Sequence, residues 1–175
     1  MSDSASRRSS TQPGSADMAI LFVCLGNICR SPLAEGIFRA ETQKALPGNS
    51  MRIDSAGLGR WHIGDPPDDR GIVTARHHGI DISALRCRQI WKDDFFEFDL
   101  IIAMDHANID RLETVRPANS TAQIDLFLKL AHNRDEAIPD PYMGGMEDFE
   151  TVFQMVQTAS KALAAKLVTQ QMTVQ

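Results

Sequence analysis

The 175-residue chain reads as one α/β domain, a three-layer αβα sandwich on a four-stranded, twisted parallel sheet. Three observations point there. Short apolar runs alternate with helical patterns along the chain. The first run, AILFV at Ala19 to Val23, is apolar without alternation, as a strand covered on both faces must be. A tight loop and a helix start follow it directly, the order of a parallel crossover. Apolar residues make up 43% of the chain, enough for a single packed core.

The elements follow in order. Cys24 to Arg30 breaks the strand pattern, with Gly26 and Asn27 supplying turn-compatible backbone. Ser31 can cap a helix and Pro32 suits its first position, with Leu33, Ala34, Ile37 and Phe38 at helical spacing. Met51 to Ala56 is a second strand ending in Gly57. Arg70 to His78 is a helix with Ile72, Val73 and Ala75 inward and Gly79 as a left-handed cap. A third strand, LIIAM, lies within Asp99 to Met104, and a helix from Asp105 to Val115 stops before Pro117. Gln123 to Phe127 is a weaker fourth strand. A loop with Pro139 and Pro141 leads into a last helix whose face carries Phe149, Val152, Phe153, Val156, Leu163 and Leu167. Ligands of such sheets bind beyond the carboxyl ends of the strands, so the site is expected among Cys24 to Ser31, Ser55 to Gly64 and the segment after Met104.

Composition narrows the function. Residues 1–17 are rich in Ser, Gly and Pro without hydrophobic period and read as a disordered tail, 18–170 as the folded domain, and 171–175 as a short C-terminal tail. The first stretch lacks the apolar centre of a secretory signal, and no run approaches a membrane span. A net charge of −5 argues against bulk nucleic-acid binding but not against an anionic substrate, since only local charges act beyond screening. Three cysteines make no disulfide framework and fit a reducing cytoplasm.

The central signal is Cys24-Leu25-Gly26-Asn27-Ile28-Cys29-Arg30-Ser31. Five residues between Cys24 and Arg30 let the backbone curl so that successive N–H groups face one centre. The helix beginning there turns its positive end to the same point. A cysteine at the floor of that bowl should ionise more easily than a free thiol, and Arg30 can grip two phosphate oxygens as a planar fork. Spacing alone would equally fit a buried structural cysteine. The preceding strand, the following helix start and the internal Gly and Asn favour the phosphate loop. No Gly-x-x-x-x-Gly-Lys-Ser/Thr run is present, and zinc at Cys24 and Cys29 would need two more ligands that Cys87 and the scattered histidines match poorly. No metal or other cofactor is expected.

VCLGNICRSP resembles the signature of the low-molecular-weight protein tyrosine phosphatases. The likeness runs from Ala19 to about Leu167 and includes DSAGLGRWHIGDPPDDRG (Asp54 to Gly71), HHGID (His77 to Asp81), Arg88-Gln89, DFFEFDLIIAMD (Asp94 to Asp105) and DPYMGGMEDFETV (Asp140 to Val152). It implies hydrolysis of phosphotyrosine and small aryl phosphates through a phosphocysteine on Cys24, with Arg30 as clamp and Leu25 to Ser31 around the phosphate. Asp140, which on spacing alone reads as a turn-forming Asp-Pro, becomes the general acid and base. Asn27, Ser31, Ser55 and His78 become the network under the loop, and Leu25, Trp61, Tyr142 and Met143 the walls of the cleft. Asp105 is expected to have a structural role beside the site. Many relatives carry a second tyrosine where this chain has Met143. Cys29, close to Cys24 in sequence, is a candidate disulfide partner for it under oxidation. The implied partners are a phosphotyrosine protein, or phosphate or sulfate in the loop, with the chain a monomer or weak dimer. The rivals are an arsenate reductase, lacking here a complete cysteine relay; a phosphoarginine phosphatase, which tends to carry Thr at the position of Ile28; and a silent phosphate-binding or redox-sensing module.

Overall fold

The computed structural model describes residues 18–173; the tail expected at 1–17 lies outside them. The order is β1 (Ala19–Cys24), α1 (Arg30–Ala45), β2 (Arg52–Gly57), α2 (Asp69–His77), α3 (Asp94–Glu97), β3 (Leu100–Ala103), α4 (His106–Val115), β4 (Gln123–Leu126), α5 (Phe127–His132) and α6 (Met146–Thr173). All strand pairs are parallel, in the order β2-β1-β3-β4. β1 is central and all six of its residues are buried, which is why it reads as apolar without alternation.

The pleat sends alternate residues of β1 into two cores. Ile20 and Phe22 pack with α1, α5 and α6, whereas Leu21 and Val23 pack with Phe95, Phe98 and Leu112 on the opposite face. Phe22 meets Phe38 edge-on at 5.4 Å and Phe127 at 5.1 Å. Each such buried ring contributes about 1.5–3 kcal/mol through burial. The chain leaves β1 for β2 on one side and places β3 on the other, so the carboxyl end of β1 sits where strand order reverses. Cys24, the last residue of β1, occupies that switch point.

Several sequence expectations change. α1 starts at Arg30 with Cys29 as its N-cap, so Ser31 does not cap it and Pro32 is its third residue. No side chain caps α1, in contrast to α2 and α4, where Asp68 and Asp105 accept from backbone N–H groups. Val73, expected inward on α2, is exposed, because Gly71, Thr74 and Ala75 form the buried face. Phe127 opens α5 rather than closing β4. α6 runs to Thr173, past the expected start of the C-terminal tail at 171. α3 and α5 were not anticipated; at four and six residues they are too short to show a period. No described helix is long and apolar enough to cross a membrane.

Candidate active site

Cys24 ends β1, and the chain from Leu25 to Cys29 curls before α1 begins at Arg30. The curl depends on Asn27, whose φ of 57° lies in the left-handed region that Asn tolerates better than most residues. It also depends on Gly57 at the end of β2. A Cβ there would stand 3.0 Å from the Asn27 nitrogen, so only glycine lets the loop lie against this strand.

A polar chain holds the loop from beneath. The Asn27 Nδ2 donates to Ser31 Oγ (2.9 Å) and to Ser55 Oγ (3.0 Å). With its oxygen accepting from Asn27, Ser31 can turn its own hydrogen to Cys24 Sγ, 3.1 Å away. Ser55 Oγ donates to the buried Glu35 (2.7 Å), which also accepts from Arg39 at 2.8 Å. Asn27 Oδ1 accepts from the Arg88 backbone N–H (2.9 Å), and the Asn27 carbonyl accepts from Cys87 Sγ at 2.6 Å. Asn27, Ser31 and Ser55 therefore stand together as expected, but His78 does not join them. Its Nε2 bonds Glu150 at 2.8 Å and its ring stacks on Phe153 at 4.0 Å, because the end of α2 packs against α6. Glu35, Cys87 and Arg88 hold the network instead. The Arg88-Gln89 pair was a visible signal for the last of these; for Glu35 and Cys87 nothing local marked the role.

Arg30 is 2% exposed, and its guanidinium is divided between two tasks. Nη1 donates to Asp105 Oδ2 (2.6 Å) and to the Ile138 carbonyl (3.0 Å), while Nη2 donates to Asp140 Oδ2 (3.1 Å). Asp105 thus both caps α4 and braces the arginine. Nε is buried with no partner among the described residues. A buried donor left so would cost about 1–3 kcal/mol, which an anion in the loop would remove.

Cys24, Leu25, Gly26, Ile28, Cys29 and Arg30 line a hollow of about 200 Å³ shared with Trp61, His62, Asp140 and Tyr142. Trp61 is 69% exposed and stands as a wall, as does Tyr142. Met143, expected as another wall, is 91% exposed and absent from this lining, since the turn after Pro141 carries it outward. Arg70 steadies that turn, donating to the Tyr142 carbonyl (3.1 Å) and the Gly144 carbonyl (2.7 Å) with Asp68 at its other side. The Arg70 bond holds the Asp68 carboxyl below its ordinary range. Among the described residues no group of His, Cys, Asp or Glu could hold a metal ion.

The three cysteines are free and buried. Burial, then the nearby charge of Asp68, pushes the Cys29 thiol far above the usual range. Burial and then Asp65 push Cys87 up to about 11. At pH 7 only about one Cys87 in ten thousand is therefore ionised. Brief iodoacetate treatment at neutral pH should carboxymethylate Cys24 and spare Cys29 and Cys87, as peptide mass mapping would read. Labelling of Cys29 or Cys87 ahead of Cys24 would contradict the assignment.

Burial likewise raises the Glu35 carboxyl above its ordinary range, against the hydrogen bonds from Ser55 and Arg39. The folded protein then holds this proton more tightly than the unfolded chain. Stability from this group falls as pH rises from the unfolded value of about 4.5 through the raised folded one. In Glu35→Gln, urea unfolding should show a shallower decline of stability over that interval than in the wild type. Parallel curves would count against it.

Cys24 and Arg30 thus flank one curled loop at the switch point of a parallel sheet, at the uncapped amino end of α1. The family model described as low molecular weight phosphotyrosine protein phosphatase matches residues 19–173, and the chain belongs to that family. It is 42% identical over 152 residues to the low molecular weight protein-tyrosine-phosphatase YfkJ of Bacillus subtilis, covering 86% of this chain and 96% of that one. The crystal structure of YfkJ matches with a TM-score of 0.78 at 40% identity, over 89% of this chain and 97% of that one. The Homo sapiens low molecular weight phosphotyrosine protein phosphatase is 41% identical over 155 residues, 86% of this chain and 96% of its own. Vibrio vulnificus Wzb, solved in complex with benzylphosphonate, matches with a TM-score of 0.75 at 30% identity, over 86% of this chain and 99% of that one.

Proposed function

We propose that this protein hydrolyses phosphotyrosine by double displacement at Cys24. The carrying observation is the posture of Arg30: Nη1 is anchored by Asp105 and Ile138, and Nη2 touches the acid while Nε is left without an acceptor. The Nε and Nη2 edge is the fork that accepts two equatorial oxygens of a phosphoryl group. The amino end of α1, uncapped by a side chain, adds its positive end to the same anion.

In the first step the Cys24 sulfur attacks phosphorus and the bond from phosphorus to the tyrosyl oxygen breaks. Asp140, protonated, passes its proton to the departing oxygen. In the second step the Asp140 carboxylate takes a proton from water, whose oxygen attacks the thiophosphate and expels the sulfur as thiolate. The Ser31 hydroxyl, 3.1 Å from that sulfur, stabilises it as it leaves. Leu25, Trp61 and Tyr142 suit a flat ring beside the phosphate, and Wzb, a relative by sequence and fold, is solved with benzylphosphonate, an aryl-bearing phosphonate.

The test compares peptides of one sequence bearing phosphotyrosine, phosphoserine or phosphoarginine. Phosphotyrosine should be turned over at least about a hundredfold faster in kcat/KM, since only it fills the walls. With a chromogenic aryl phosphate, one enzyme equivalent of phenol should be released in a burst wherever the second step is slower. Phosphoserine or phosphoarginine as the better substrate would overturn the reading.

A further inference from the structure

Beside the catalytic hollow lies a larger one of about 550 Å³, which shares Leu25, Arg30, Trp61 and Asp140 with it. A peptide whose phosphotyrosine sits in the loop must pass its neighbouring residues over one rim or another. This hollow is roomy enough to take one of them. Its charged lining is Arg30, Arg60, Arg111, Asp105 and Asp140. Arg30 is paired with both carboxylates. Arg60 and Arg111 are exposed, and neither has a hydrogen bond or an ion pair among the described residues. The trio of Arg30, Asp105 and Asp140 is one charge negative, so with Arg60 and Arg111 the lining carries a net charge of about +1, in a chain whose net charge is −5.

Asn108 lines the same hollow, is 3% exposed, and its Oδ1 is buried without a partner. The hollow also continues over Leu58 and Gln89 into a smaller one of about 120 Å³ bordered by Lys92 and Trp91, so the positive charge extends along a track. At physiological salt, screening over about 8 Å removes the distant negative charges from the balance and leaves these local ones.

We infer that this hollow is a subsite for an anionic group flanking the phosphotyrosine, held by Arg60 and Arg111. The inference rests on the phosphotyrosine reading above and deepens it. A guanidinium matches a carboxylate and a phosphate alike, so the group is an Asp or Glu side chain or a second phosphate. Two exposed pairs of this type are worth about threefold each in affinity, or about tenfold together.

The experiment uses the full chain and four phosphotyrosine peptides of equal length. One has neutral flanks, one an acidic pair on the N-terminal side, one an acidic pair on the C-terminal side, and one a second phosphotyrosine. The readout is the ratio of kcat/KM for each anionic peptide over the neutral one, which a general loss of activity would not move. The wild type should favour at least one anionic peptide by about tenfold, mostly through KM, with the ratio shrinking as salt rises. Arg60→Gln and Arg111→Gln should each remove about threefold, and the double variant should bring the ratio to about one. A larger gain for the doubly phosphorylated peptide assigns the site to phosphate, and a larger gain for an acidic pair assigns it to carboxylate; both support the subsite. Turnover of the neutral peptide without any anionic preference, or a preference that survives in the double variant, overturns the subsite alone. Absence of turnover for every peptide overturns the phosphatase reading together with it.

Discussion

In Cys24→Ser, turnover of aryl phosphates should fall by at least about four orders of magnitude, while the protein keeps its fold and its hold on phosphate. As the proposed nucleophile, Cys24 is the one group that the reaction cannot route around, and removing such a group costs about as much as removing the whole apparatus. The fold should tolerate the change, because Ser occupies nearly the same volume. Its hydroxyl would also inherit Ser31 Oγ, 3.1 Å from the present sulfur, as a partner. The groups expected to hold the anion are untouched: Arg30 with its unpartnered Nε and the uncapped amino end of α1. Phosphate should therefore raise the melting temperature of the variant at least as much as that of the wild type. Retention of even a per cent of the activity would move the nucleophile elsewhere, with Cys29 the first alternative on the same hollow.

Asp140→Asn should lower kcat on phosphotyrosine peptides by about a hundred- to ten-thousandfold, the usual worth of a positioned proton donor. The loss should depend on the leaving group. A nitrophenolate departs well without a proton and should suffer least, whereas tyrosine needs the donor and should suffer most. That dependence separates proton transfer from a structural role. Asp140 does have structural ties, since Oδ2 accepts from Arg30 and Oδ1 accepts from the Tyr142 backbone N–H. Its side chain is nonetheless 45% exposed and adjoins the hollow, so an amide of the same shape can keep much of that geometry. An equal loss on both kinds of substrate would argue that Asp140 only steadies Arg30. Asp105, bonded to the arginine at 2.6 Å on the far edge, should show that leaving-group-independent pattern when changed to Asn.

The contrast between Ser31 and His78 shows how far local pattern carries. Ser31 was legible because its role lies within seven residues of Cys24, inside one loop and one helical turn. Its expected cap was wrong because the helix begins earlier than the Ser-Pro signal suggests, with Cys29 at the N-cap and Ser31 already inside the first turn. His78 sits beside Gly79, whose positive φ ends α2 as expected. Where that helix end points, however, depends on α6, which brings Phe153 and Glu150 to the ring from more than seventy residues away. Met143 reads as a wall only if the turn after Pro141 keeps it inward, and the Arg70 bonds to the Tyr142 and Gly144 carbonyls hold that turn in another course.

Local order alone was enough to settle the strand-loop-helix unit, the buried central strand, and the cysteine and arginine that share one loop, because each rests on hydrogen bonding and burial over a few neighbouring residues. The loop's supports from Glu35, Cys87 and Arg88, the bracing of Arg30 by Asp105, and the pairing of Arg60 with Arg111 across one hollow were settled only in three dimensions. These groups are brought together by strand order and helix packing, and contacts between distant segments leave no periodic trace along the chain.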